Sequence, residues 1–307
     1  MKNQFIKFWN YIQNAQYITL CTHKNPDGDT IGSSVAFQEI IKLNCPNVKD
    51  VKISGGDCPR NLEFLLKSKL DLVEQDFFDM SLKVVVDTST QKRVFDQRVV
   101  ASESLKFDHH PEEEEFMFGI GGDHWPATGQ LLTQMVMDLN LKLNQQSLRA
   151  LAVAIITDTA AFQERNISNK TFEAMAYLMT QGLEYKKVLQ QLKLNKEEKQ
   201  LIFDTINSLK VEKNVSYIIS EKVISNDIVR PLVNQLMSLI NTEVGLVILK
   251  QKQGFYRCSI RSIDTFDVSL IANEFGGGGH KNSSGFNIDS LDKLTQIIDL
   301  INKKIQG

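Results

Sequence analysis

Apolar residues along the first half of the chain follow two alternating rhythms. In "MKNQFIKFWNYIQNAQ" the positions Phe5, Phe8, Trp9 and Ile12 recur at helical spacing, which predicts an amphipathic helix over 3–14. A β-rich run follows at 16–22, then a polar turn, then a helix over 29–43. Short apolar runs at 51–56 ("VKISGG"), 82–89 ("LKVVVDTS") and 104–110 ("SLKFDHH") each end in polar residues. Buried parallel strands do this when they deliver loops to one edge of a sheet. Helices are predicted over 127–139 and 145–159, the second so uniformly apolar that it reads as buried. This alternation predicts a doubly wound, mainly parallel α/β domain whose active groups gather at the carboxyl ends of its strands.

From about 168 to 210 the pattern is helical and increasingly charged, with no Gly/Pro/Ser-rich tether. Beyond it, "SYIISEKV", "EVGLVILKQK" and "GFYRCSIRS" alternate like sheet strands, the last two joined by a hairpin at "KQKQGF". Helices are predicted at 227–241, 267–275 and 290–304. The expected organisation is a catalytic domain over 1–185, a helical connector over 186–212 and a smaller α+β domain over 213–307.

Composition narrows the function classes. With 307 residues, 42% of them hydrophobic, the chain suits two folded domains and not a disordered protein. A formal charge of -2 provides no global basic field, so a phosphate-bearing ligand must be held by a local site. That favours short substrates over duplexes. Cys21, Cys45, Cys58 and Cys258 are scattered without a C-x-x-C pair, which points to reduced thiols and away from a disulfide framework or zinc knuckle. No signal-peptide pattern opens the sequence, and no apolar stretch reaches the roughly 20 residues of a membrane span. A cytoplasmic protein that does not cross a membrane is expected.

The candidate chemistry lies where apolar segments run out. "THKNPDGDTIGSS" places His23, Asp27 and Asp29 after the first strand, beside Pro26, which stiffens the approach, and Gly28, read as allowing a tight turn. Asp87 follows "VVV", Asp108, His109 and His110 follow "LKF", and Asp158 ends the apolar helix. Singly, most of these have ordinary explanations: a D-x-D turn is usually a helix cap, and an acid after a strand can cap the next element. Asp158 is the hardest to explain so, because burying a lone carboxylate costs several kcal/mol. Brought together, the carboxylates would raise one another's pKa and destabilise the fold unless cations neutralise them. Oxygen donors mixed with imidazoles, and no cysteine, suit manganese, magnesium or iron better than structural zinc. The run Glu112 to Glu115 reads as a solvated loop, and His124 and Trp125 have no identifiable partner.

The order His-x-x-x-Asp-x-Asp, Asp after an apolar strand, Asp-His-His and Thr-Asp-Thr resembles the DHH phosphoesterase superfamily over residues 18 to 160. The resemblance implies two divalent ions, manganese first, with magnesium or iron as the other candidates. His23, Asp27 and Asp87 would hold one; Asp29, Asp87, His109 and Asp158 the other. It also implies His110 beside the substrate phosphate and Asp108 orienting the histidines.

In the second domain, Arg261 ends a strand, with Arg257 four residues earlier on the same face. "GGGGH" (276–280) reads as a tight loop offering backbone N–H groups to an anion. "SIRS" (259–262) with Gly277, Gly278, Gly279 and His280 resembles the DHH-associated C-terminal domain, in which such a strand and loop bind nucleotide. The combination is similar to the nano-RNase and pAp-phosphatase subgroup, which implies hydrolysis of short single-stranded RNA and of 3′-phosphoadenosine 5′-phosphate. A homodimer is compatible with this reading. The chain departs from the subgroup at Ala160 and Ala161, where Gly is usual after Thr-Asp-Thr, at Gln130, where Glu is common, and in "HKNSSG" after the glycines. The alternatives are a cyclic or linear dinucleotide phosphodiesterase, a family II inorganic pyrophosphatase and a non-enzymatic RNA-binding protein. A processive exonuclease fits less well, since the chain is short and has no basic channel.

Overall fold

In the computed structural model, which describes residues 1–163 and 166–306, the apolar runs of the first half become strands of one parallel sheet. These are β1 (Tyr17–Cys21), β2 (Asp50–Ser54), β3 (Leu82–Val86), β4 (Leu105–Asp108) and β5 (Phe118–Gly121), in the order β2-β1-β3-β4-β5. Helices α1 (Lys2–Asn14), α2 (Gly28–Asn44), α3 (Gln75–Met80), α4 (Thr128–Leu139), α5 (Gln145–Asp158), α6 (Asn169–Thr180) and α7 (Tyr185–Gln191) complete the unit Met1–Lys193. The strand order reverses direction between β1 and β3, and in such sheets ligands bind beyond the carboxyl ends of the strands at that point.

The period of two along each strand divides the core. Ile18, Leu20, Val84 and Val86 face the side covered by α1, α2 and α4; Cys21 and Val85 face Phe77 and Phe78 of α3. The α1 residues Phe5, Phe8, Trp9 and Ile12 are all buried, as their spacing predicts. Helix α5 packs against α2, α4, α6 and α7, which explains why it is apolar on every side. Its approach to α2 is unusually close: a Cβ on Gly28 would lie 2.2 Å from Thr157 Oγ1, and one on Gly32 2.5 Å from the Ala150 carbonyl. Gly28 is therefore demanded by helix packing and not by the turn geometry expected of it.

Strand β5 was not anticipated, because two glycines in "FGIG" mute its apolar signal. Gly121 pairs with Asp108 at φ 142°, and a Cβ there would overlap the Asp108 carbonyl. The glycine lets β5 close against the strand that carries the Asp-His-His run.

The second unit, Leu194–Gly307, begins within the stretch expected as a connector. Helix α7 packs on α5 of the first unit, whereas α8 (Lys196–Ile206) packs on α9 (Asn226–Leu239) and β7 (Val215–Ser220) of the second. With β6 (Lys210–Glu212), β8 (Val244–Lys250), β9 (Tyr256–Ser262), β10 (Gly278–His280) and β11 (Ser283–Ile288), the sheet order is β10-β11-β9-β8-β7-β6. Only β7 and β8 pair in parallel, with α9 as their crossover. Helices α10 (Ser269–Glu274) and α11 (Leu294–Gln306) complete this unit. Among the described residues no helix is long and apolar enough to cross a membrane, and the four cysteines are unpaired with one another.

The last turn of α5 carries backbone strain. Ala160, Ala161 and Phe162 have φ of 47°, 55° and 69°, and the Ala161 N–H returns to the Ile156 carbonyl at 2.8 Å, a helix-ending arrangement that favours glycine. Left-handed backbone costs a residue with a Cβ about 1–2 kcal/mol. We expect Ala160→Gly to stabilise the metal-free chain by about 0.5–1 kcal/mol after the greater unfolded-state entropy of glycine is deducted. A urea melt that shows no gain would mean that this turn stores no strain.

Candidate metal centre

The polar residues that end β1, β3, β4 and α5 meet beyond the carboxyl edge of the first sheet. His23 follows β1 and is buried; its Nδ1 lies 2.7 Å from the Lys24 carbonyl. His109 follows β4, with Nδ1 3.0 Å from the Trp125 carbonyl. A carbonyl oxygen only accepts, so Nδ1 of each ring carries the hydrogen and Nε2 is the nitrogen left to bind a cation. Asp27 is the N-cap of α2, its Oδ1 accepting from the N–H groups of Asp29 and Thr30 at 3.1 Å each. The helix-cap reading thus holds for Asp27, and it occupies only one of the two oxygens.

Asp29 and Asp87 are held by other elements. Asp29, fully buried in the first turn of α2, accepts from Thr128 N–H at 2.7 Å, Gly129 N–H at 2.9 Å and Ser33 Oγ at 3.0 Å. It closes the N-terminus of α4, whose own N-cap residue Ala127 offers no side-chain bond. Asp87 has φ 64°, a left-handed backbone that aspartate tolerates better than most residues and that concentrates at functional sites. Its Oδ2 accepts from Thr30 Oγ1 at 2.6 Å and its Oδ1 from Thr128 Oγ1 at 2.8 Å. Asp158 ends α5, where the negative end of the helix disfavours a carboxylate by about 0.3–1 kcal/mol.

Spacing tests whether cations fit. His109 Nε2 lies 3.3 Å from Asp158 Oδ2, 3.5 Å from Asp87 Oδ1 and 3.7 Å from Asp29 Oδ2. His23 Nε2 lies 3.6 Å from Asp87 Oδ2 and 4.0 Å from Asp27 Oδ1. These separations exceed the roughly 2.7–3.2 Å of an N–H···O hydrogen bond. Two donors each about 2.1 Å from a shared cation, at right angles or wider, stand about 3 Å or more apart, so the spacing suits ligands around an ion. Three overlapping groups arise: His23, Asp27 and Asp87; Asp29, His109 and Asp158; and Asp87, His109 and His110, with the donor atoms of each group within 4.8 Å of one another.

Electrostatics agree with that spacing. Burial pushes the Asp29 carboxyl well above the usual range, and Asp87, Asp158 and Asp27 add to the shift against the Gly129 N–H. Burial would raise Asp87 too, but the nearby His23, His110 and His109 rings hold it far below. Burial lowers the affinity of His23, His109 and His110 for a proton. Their acidic neighbours outweigh it and leave all three above 6.5: mainly Asp87 for His23, Asp158 for His109 and Asp108 for His110. Without a metal, a proton on any of these rings would offset part of the negative charge of the cluster.

Asp108 is fully buried and accepts from His110 Nδ1 at 2.7 Å, while its Oδ2 has no hydrogen-bond partner. It orients His110 alone; His109 is aimed by Trp125, whose role sequence could not reveal because the main-chain carbonyl performs it. Thr30 and Thr128 were missed for a related reason, since threonine at a helix start looks like ordinary capping. Glu112 to Glu115 are exposed, with Glu114 accepting from the Gln91 N–H.

In the second unit the glycine run is in part the edge strand β10, antiparallel to β11. A Cβ on Gly277 would stand 2.2 Å from the Gly285 carbonyl, so strand approach already requires glycine there. Gly277, Gly278, Gly279 and His280 are exposed. Arg261 and His280 both pair with Ser283, from opposite sides of β11. Directly paired residues share a face of the sheet, so these three form one row. Arg261 Nη1 donates to the Ile260 carbonyl at 2.9 Å.

The chain is similar to known proteins over most of its length. Residues 214–307 match the DHHA1 domain family. The chain is 28% identical over 298 residues to the bifunctional oligoribonuclease and PAP phosphatase NrnA of Bacillus subtilis, covering 92% of each chain. It is 24% identical over 318 residues to the cyclic-di-AMP phosphodiesterase GdpP of the same organism, but spans 48% of that protein's length. An exopolyphosphatase-related protein from Bacteroides fragilis has the same fold, with a TM-score of 0.85 at 20% identity over 99% of this chain and 96% of that one.

The histidine shifts set a pH dependence. A histidine whose folded pKa is raised contributes stability below its unfolded value and loses it as pH rises through the folded one. The raised Asp29 acts in the same direction, and the lowered Asp87 matters only in stronger acid. We expect the melting temperature of metal-free protein to fall by several degrees between about pH 6 and pH 8. Excess divalent cation should abolish that fall, with protons released on binding. A metal-free melting temperature that is flat or rising across this window would contradict the electrostatic account.

Proposed function

We propose that the chain is a phosphoester hydrolase of the DHH superfamily, a reading supported by its DHHA1 match and its likeness to NrnA proteins, and that it degrades short oligoribonucleotides and dephosphorylates 3′-phosphoadenosine 5′-phosphate, using two manganese ions. The observation that carries this reading is Asp87. This one carboxylate has Oδ2 3.6 Å from His23 Nε2 and Oδ1 3.5 Å from His109 Nε2, and so lies between two sets of donors. Magnesium or iron would suit the same oxygen and imidazole ligands. When bound, the ion pair supplies an acidified water near neutral pH and neutralises charge on the phosphoryl oxygens.

The chain's own residues would do the remainder. His23, Asp27 and Asp87 form one ligand set; Asp29, Asp87, His109 and Asp158 the other. His110 keeps Nδ1 on Asp108 and would present its other nitrogen to the phosphate, steadying developing charge or protonating the departing ribose oxygen. Arg261, with a planar fork suited to phosphate, would hold the nucleotide together with His280 and the backbone of Gly277, Gly278 and Gly279. A dinucleotide phosphodiesterase, cyclic or linear, is the second reading; the likeness to GdpP favours it, and the chemistry is the same.

Asp87→Ala should abolish turnover, and steady-state assays with manganese should find less than about a thousandth of the parent kcat. Retention of normal metal-dependent activity would refute the shared-ligand assignment. Arg261→Ala should raise KM about tenfold or more while kcat changes little. Parallel assays on 3′-phosphoadenosine 5′-phosphate, di- to pentaribonucleotides, cyclic di-AMP and pyrophosphate should show highest kcat/KM on the first two classes. A clear preference for cyclic di-AMP would select the second reading instead.

A further inference from the structure

We propose that Thr128 is a positioning residue that ties Asp29 and Asp87 together and thereby fixes the separation of the two cation sites. The two aspartates come from different chain segments, one in α2 and one after β3. Among the described residues, Thr128 hydrogen-bonds to both. Its N–H donates to Asp29 Oδ2 at 2.7 Å, and its hydroxyl donates to Asp87 Oδ1 at 2.8 Å. The side chain is fully buried, so no bulk solvent competes for either bond.

The position of Thr128 makes the link rigid. As the first residue of α4, it has an N–H that no intrahelical carbonyl can satisfy, and Asp29 takes that role. The Gly129 N–H, 2.9 Å from Asp29 Oδ1, holds the other oxygen, so the Asp29 carboxylate lies across the end of the helix. Asp87 is pinned from two sides: Thr128 binds Oδ1, and Thr30 binds Oδ2 at 2.6 Å. Each Asp87 oxygen therefore spends one lone pair on a threonine and keeps the other for a cation. With the hydroxyl at 128 removed, Oδ1 would lose its only bond to a threonine. The carboxylate could then rotate about Cβ–Cγ, and the His109 side of the bridge would loosen first.

This inference rests on the two-cation reading, and its test separates the two. Manganese is titrated calorimetrically into the metal-free full chain, and the loaded protein is examined by electron paramagnetic resonance for the signal of a coupled ion pair. Thr128→Val keeps the N–H and the branched shape and removes only the hydroxyl, whereas Thr128→Ser keeps both bonds. We expect the parent and Thr128→Ser to bind two ions with affinities within about threefold of each other. Thr128→Val should bind one ion at least tenfold more weakly and lose most of the coupled signal. It should also lower kcat more than it changes KM. Should Thr128→Val not fold, as judged by circular dichroism, Thr128→Ala replaces it with the same expectation. If the parent shows the coupled pair and the hydroxyl-free variant keeps both affinities and the signal, Thr128 does not position the bridge. If the parent itself binds no pair, the two-cation reading fails, and this inference with it.

Discussion

Carboxylates withdrawn from water repel one another, and that repulsion is the constraint around which the first unit is organised. Asp29 and Asp87 are almost fully buried, and Asp158 approaches the same His109 nitrogen at the carboxylate-disfavouring end of a helix. An unpaired buried polar group costs about 1–3 kcal/mol, and a charged one more. The chain meets this with three kinds of positive potential: the N-terminus of α4 on Asp29, threonine hydroxyls on Asp87, and imidazoles facing all three acids. A divalent cation held between His109 and these carboxylates would add positive charge that counters the upward shift of Asp29.

Helix packing sets how closely these groups converge. Asp29 rides on α2, Thr128 on α4 and Asp158 on α5, so the centre can be no more exact than the contact among three helices. Small residues make that contact. A Cβ on Gly129 would lie 2.4 Å from the Ala154 Cβ, and Gly28 and Gly32 are equally tight against Thr157 and Ala150. The reversal of strand order between β1 and β3 then opens the crevice into which the loops after both strands deliver His23 and Asp87. Core packing and site geometry are here one requirement: a methyl group added at any of these glycines would move a ligand-bearing helix.

The sequence disclosed the residues that end apolar segments and concealed those that act through the main chain. An acid after "VVV", or at the foot of an apolar helix, contradicts its surroundings and so draws notice. The carbonyls of Lys24 and Trp125 are identical in every residue type, and their task is set by where the fold brings them. Strand β5 was hidden by glycines that the fold requires for close approach to Asp108, and β10 by glycines that resemble a loop. In β10 the demand for glycine at 277 comes from the Gly285 carbonyl as well as from any ligand, so composition alone could not separate the two causes. Asp27 makes the same point from the other side: one oxygen caps α2 while the carboxylate still reaches the cluster, and the ordinary reading was true without being complete.

His109 and His110 are neighbours in sequence, with ring centroids 4.4 Å apart, yet their partners differ in kind. The Nδ1 of His109 donates to a neutral carbonyl, which fixes the tautomer while adding little to the basicity of Nε2. The Nδ1 of His110 donates to the Asp108 carboxylate, whose charge favours the protonated ring. A metal ligand must give up its proton to the solvent as the ion binds, whereas a group that steadies an anionic phosphate works best with the proton retained. The carbonyl partner suits His109 to ligation, and the carboxylate partner suits His110 to the phosphate. In the proposed mechanism, two adjacent residues of one type would thus take opposite tasks from the charge of the atom behind each ring.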